Sequence, residues 1–168
     1  MTGAELRTLR ESLGLSPDDL GALVDVQGRT IKHWESGRAG VPDDVAATVL
    51  EWDDRFTNAA REALAIPKPG GWGPDDELVL LRYLNTEDLH FYRPDMRALP
   101  HTAHGALLNR VRLALSALGV SVRVVYMQPE AYNAWRKATG NPADTEATRA
   151  AWASLQVDAQ CLPRPSSH

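Results

Sequence analysis

Arg29, Lys32 and Arg38 fall between Gly28 and Gly40, with Glu35 as the sole acid in that span and His33 beside them. All four basic side chains donate hydrogen bonds, and the arginine fork fits phosphate oxygens or the acceptor pair on a guanine edge. The rest of the chain makes this concentration informative. Its net charge is −4 over 168 residues. Seven basic and twelve acidic residues lie within the first 65 positions, against eleven basic and ten acidic beyond them. A cationic cluster within an acidic half implies weak non-specific binding to polyanions and a modest salt dependence.

Other chemistry is thin. His101 and His104, with His90 nearby, have no cysteine or carboxylate to complete a metal set, so unliganded histidines are expected and no cofactor is called for. No glycine-rich phosphate loop follows a strand, and there is no nucleophile elbow or acid–base pair; an enzyme is not expected. Glu87-Asp88 and Tyr92-Arg93-Pro94-Asp95 read as a capped loop rather than a cleft lining. Cys161 is the one cysteine, which excludes an internal disulfide framework and leaves an incidental thiol. The composition, 43% hydrophobic and 24% charged, is that of an ordinary globular protein. No apolar run suits a bilayer and no basic-then-apolar signal stands at the start, so a cytoplasmic location is expected.

The elements that must hold the cationic cluster are short helices. Ala4 to Leu13 places Leu6, Leu9 and Leu13 on one stripe and stops at Gly14. Ser16 as N-cap, Pro17 at the first position and Asp18-Asp19 in the first turn start a second helix, with Leu20, Leu23 and Val24 inward. A turn at Asp25-Val26-Gln27 leads to a helix from Gly28 to Ser36 with Ile31 and Trp34 inward. Pro42-Asp43-Asp44 opens a fourth. Val45, Val49, Trp52, Phe56, Ala59 and Ala63 then repeat every three or four residues, a seam for another helix. That helix belongs either to the protein's own core or to a second copy.

Residues 66–76 carry the densest proline and glycine and read as a linker in which Trp72 covers apolar surface or anchors a contact. Beyond it, Leu78 to Leu84 suits a strand and His101 to Leu118 an amphipathic helix. Val120 to Tyr126 alternates and is β-branched, a clear strand. Pro129 starts a helix through Lys137, and Asp144 or Thr145 caps one through Leu155. Strand, crossover helix and strand imply parallel pairing. The expected fold is therefore α+β: an all-α region at 1–65, the linker, a small α/β domain at 77–160 and a disordered tail at 161–168. Two strands alone leave two open edges, which a second copy would remedy.

Leu9-Arg10, Gly14-Leu15-Ser16, Leu20, Val26, Thr30-Ile31, Trp34-Glu35 and Gly37 together resemble the Cro/repressor (XRE) type of helix-turn-helix regulator. The resemblance covers about the first 55 residues. It implies that the helix from Gly28 enters the major groove of duplex DNA. Arg29 and His33 become the base readers, with Gln27, Gly28 and Lys32 near the groove. Ser16, Arg38 and Arg10 match backbone-contacting positions, and Arg10 also matches the partner of Glu35. Pro17 replaces a common phosphate-bridging glutamine, Asp25 stands where glycine is frequent, and Gln27 replaces the usual serine or threonine cap.

Val41 to Val45, Val125 to Trp135 and Arg149 to Ala153 are similar to the dimeric anti-CRISPR-associated autorepressors. That similarity implies a C-terminal dimerisation domain. The dimer candidates are Trp52, Phe56, Val122, Val124, Tyr126, Tyr132, Trp135 and Trp152. The expected function is a homodimeric, sequence-specific repressor or autorepressor on an inverted-repeat operator. An antitoxin-like protein whose C-terminal half binds a partner protein is the alternative, and RNA is left open as a further ligand.

Overall fold

Caps and apolar spacing set the helix boundaries. The computed structural model describes residues 1–65, 71–140 and 142–157. Helix α1 (Gly3–Ser12) starts one residue before the stripe suggests, because Thr2 and Glu5 form a reciprocal capping box. Ser16 and Asp19 do the same for α2 (Pro17–Leu23). Helices α3 (Gly28–Glu35) and α4 (Asp43–Leu64) follow. Strand β1 (Glu77–Arg82) comes next, ending before Tyr83 and leaving Leu84 exposed.

Helix α5 (Thr86–Tyr92) replaces the loop expected there. Asn85 accepts the Asp88 N–H as its cap, and Glu87 and Asp88 lie in its positive first turn. A 3-10 turn (Pro94–Met96), α6 (His101–Ser116), β2 (Ser121–Tyr126), α7 (Pro129–Ala138) and α8 (Glu146–Ser154) complete the described chain. Thr145, not Asp144, caps α8. The strands pair in parallel from Glu77↔Ser121 to Arg82↔Tyr126. Cys161, the Leu162–His168 tail and Ile66 to Gly70 of the linker lie outside the described residues.

The α4 seam is filled from within the same chain. Val45, Val49 and Phe56 are buried, and α4 packs along α6. Arg110 of α6 fastens this contact. It donates to the Asp53 carbonyl at 3.2 Å, the Thr57 hydroxyl at 3.2 Å, the Asp53 carboxylate at 2.5 Å and the Ser12 hydroxyl at 3.1 Å. Gly14 (φ +69°) lies so close to α6 that a Cβ there would come within 2.5 Å of the Thr102 carbonyl. One buried cluster consequently runs from Leu6 and Ile31 through Val49 to Tyr132 and Trp152.

Several residues expected at a dimer interface sit inside this core. Phe56, Tyr132 and Trp152 are buried within one chain and have no surface to offer a second copy. Tyr132 meets Trp152 edge-on at 5.7 Å and stacks on Trp135 at 6.1 Å, and its hydroxyl donates to Asp144 at 2.8 Å. Trp52 is half-buried edge-on to Phe56, and Val122 packs on a second cluster around Leu115 and Val120. Helical and strand periodicity reports that a face is covered, not which chain covers it. Val124 and Tyr126 remain exposed on β2, at 45% and 44%.

His104 is buried in α6, and its Nδ1 has no hydrogen-bond partner among the described residues. Burial pushes its imidazole down to about 4, with the charges of Arg93 and Arg82 acting in the same sense. An unfolded histidine takes up its proton near 6.5, so the unfolded chain binds more protons between the two values. This stability is complete above about pH 6.5 and is lost as pH falls toward 4. Urea unfolding should show the native chain losing about 3 kcal/mol more than His104→Leu between pH 7 and 4. Equal losses in the two proteins would exclude a buried neutral imidazole.

Candidate nucleic-acid interface

Helices α1, α2 and α3 build the site around a small apolar centre. Leu20 of α2 and Ile31 of α3 are fully buried, Trp34 nearly so, and Val26 in the turn is half-buried. The turn itself is tight. Asp25 holds φ +55°, which a short polar side chain tolerates. A Cβ on Gly21 would come within 2.5 Å of the Val26 carbonyl, so α2 approaches the turn only through glycine. Gly37 (φ +71°) lets the chain leave α3 in a left-handed turn.

Burying Ile31 and Trp34 determines what α3 shows to solvent. Gln27, Arg29, Lys32 and His33 are exposed, as is Arg38 just beyond the helix. Arg29 and His33, four positions apart, lie one turn apart on the same face. Ser16 is exposed at the start of α2; its hydroxyl accepts the Asp19 N–H at 3.1 Å and keeps its own proton to donate.

Two expected contacts are corrected by burial. Arg10 is only 6% exposed and binds Glu35 with two nitrogens, Nε to Oε1 at 2.5 Å and Nη2 to Oε2 at 3.2 Å. Its Nη1 donates to the Leu15 carbonyl at 2.7 Å. The guanidinium thus ties α1 to the end of α3 and to the start of α2, and does not face a phosphate. Gly28 is buried too, because the Asp18 side chain and backbone occupy the space that its Cβ would take. It packs α3 on α2 and presents nothing to a groove.

Asp18 is the neighbour that sequence reasoning missed. Its carboxylate, exposed, stands beside the first residue of α3, where it complements the helix dipole. Assigning Pro17-Asp18-Asp19 to the first turn of α2 accounts for only one of the two helix ends that Asp18 serves. Gln27 contributes no side-chain cap to α3. Residues 2–51 match the helix-turn-helix domain family.

The helix-turn-helix match supports a DNA-binding regulator and ends at Glu51, inside α4. It lends no support to the likeness between the C-terminal half and anti-CRISPR-associated autorepressors. No curated protein matches the chain. Among the described residues, no three His, Cys, Asp or Glu side chains gather as a metal site would require, and no helix is long and apolar enough to cross a membrane.

Removing one partner of the Arg10–Glu35 pair leaves a charge in a place where water cannot replace its counter-ion. Arg10→Met should lower unfolding free energy in urea by about 3–5 kcal/mol. Adding Glu35→Gln should return a large part of it. A single variant within 1 kcal/mol of native would show that the pair contributes no more than a surface bridge does (about 0–1 kcal/mol).

Proposed function

We propose that the protein is a cytoplasmic transcriptional repressor or autorepressor that binds an inverted-repeat operator as a homodimer, with α3 in the major groove. One observation carries this reading: Ile31 and Trp34 anchor α3 while Arg29, Lys32 and His33 stand exposed around its other side. Arg29 reads a guanine through O6 and N7, and His33 donates to a base acceptor or phosphate. Lys32 and Gln27 flank the groove, and Ser16 and Arg38 hold phosphates and set register. The function is one of binding, and no catalytic step is assigned to any residue.

Pairing is supported by the sheet. Among the described residues strand β2 pairs only with β1, and Val124 and Tyr126 are exposed on it. Antiparallel contact between two β2 edges would be self-complementary, as a two-fold interface requires, and would make one four-stranded sheet. Two α3 helices would then address half-sites about 34–36 Å apart, one turn of duplex.

Selection from random duplexes, followed by sizing of the complex, tests the proposal. A palindromic site holding two chains is the expected result. Arg29→Ala should weaken that site by about 1–3 kcal/mol and relax the preference at one base pair. Unchanged affinity and preference would remove Arg29 from base reading. Val124→Arg should yield a folded monomer in sedimentation, with loss of cooperative occupation of the two half-sites. A dimer of native strength in that variant would move the interface elsewhere.

A further inference from the structure

We propose that the cleft between α4, β1, α6 and α8 is a binding site for a small molecule with an apolar body and a single carboxylate. The cleft encloses about 410 Å³, toward the smaller end of small-molecule sites, which run from about 300 to 1,000 Å³. Leu78 and Leu80 of β1, Ala63 of α4, Leu107 and Val111 of α6 and Ala150 of α8 make most of it apolar. Beyond the end of β1 the lining changes character: Tyr83, His104, Arg93 and Arg149 gather there.

These polar groups have donors to spare. Tyr83, 3% exposed and stacked on Tyr92 at 5.7 Å, lines this end of the cleft, and its phenol is a hydroxyl donor. His104 is 2% exposed and packs its ring 5.2 Å from that of Tyr83; its Nδ1 has no partner among the described residues and donates in the tautomer that carries the proton there. Arg93 uses Nε and Nη2 on Asp95, whereas its Nη1 lies 3.7 Å from Glu146, beyond a hydrogen bond. Arg149 donates Nη1 to Asp144 at 2.7 Å, and among the described residues its other N–H groups make no hydrogen bond. The one carboxylate in the lining, Glu146, has a side chain 81% exposed to water. Surplus donors at one end of an apolar slot fit a head group that only accepts, and a carboxylate does so with charge assistance.

The site bears on the other half of the molecule through α4. Ala59 and Ala63 line the cleft, while Val45 and Val49 of the same helix belong to the cluster that buries Ile31 and Trp34. A bound ligand therefore acts on the helix that braces the DNA-reading pair. This regulatory consequence rests on the DNA-binding reading; binding to the cleft does not.

Calorimetric titration of the full chain with octanoate and octan-1-ol, without DNA, tests the site. Octanoate should bind saturably and one-to-one, more tightly than octanol. Tyr83→Phe should weaken octanoate about ten-fold and leave octanol unchanged. Ala150→Phe, placed at an exposed position where it can fill the slot without disturbing the core, should abolish both. Non-saturable octanoate binding, equal affinity for octanol, or binding indifferent to both substitutions in folded variants would overturn the proposal. Tighter binding of an uncharged extended peptide would also overturn it. An operator affinity unmoved by saturating octanoate would overturn the coupling alone. Failure to select any operator, with octanoate binding intact, would count against the DNA reading and not against this site.

Discussion

The bidentate pair between Arg10 and Glu35 is the interaction on which the DNA-facing half depends. Both side chains are nearly water-free, and the pair joins the last turn of α1 to the last residue of α3. Two buried charges carry a desolvation cost, so such a pair adds little net stability over an apolar contact. What it does add is direction. The planar fork accepts Glu35 in one orientation, and the third arm of Arg10 holds the Leu15 carbonyl at the approach to α2. With three segments fixed at one guanidinium, the roll of α3 about its axis is set, and with it the outward aim of Arg29 and His33.

A second arginine does similar work between the two halves. Arg110 reaches from α6 to Ser12 of α1 and to Asp53 and Thr57 of α4, covering Phe56 with its guanidinium at 5.7 Å. The helix-turn-helix region therefore does not stand apart from the C-terminal half. It shares a core with the C-terminal half, and α4 belongs to both. That sharing explains why the seam from Val45 to Ala63 is longer than three packed helices need: its second part packs along α6.

What was legible in the chain was whatever local chemistry dictates. Ser16-Pro17 announces a helix start, Gly37 a helix stop, and the alternation of Val122, Val124 and Tyr126 a strand; each follows from forces within a few residues. The buried partners of α3 were legible for the same reason. Helix α5 escaped because seven residues give too few turns for periodicity to show. Tyr132 and Trp152 were legible as covered but not as covered by their own chain, since spacing carries no information about the partner. The cleft was invisible, because Tyr83, Arg93, His104 and Arg149 come from separate segments and only the tertiary fold strands their donors together. Gly28 looked like a groove position until Asp18 was seen to fill the space above it.

The parallel pairing of β1 with β2 has a consequence for how the chain acquires its shape. Glu77 and Arg123 meet across the sheet although they are 46 positions apart, so the sheet cannot form until α5 and α6 have been made and folded back. Helices α1 to α3, by contrast, touch neighbours close in sequence, and local contacts form fastest. On a ribosome helices α1 to α3 emerge before the C-terminal half and can settle while β2 is still unsynthesised. Until α6 appears, α4 shows bare the stripe that α6 will cover. The nascent chain thus passes through a stage in which its longest helix is sticky, and the arrival of Arg110 closes that interval.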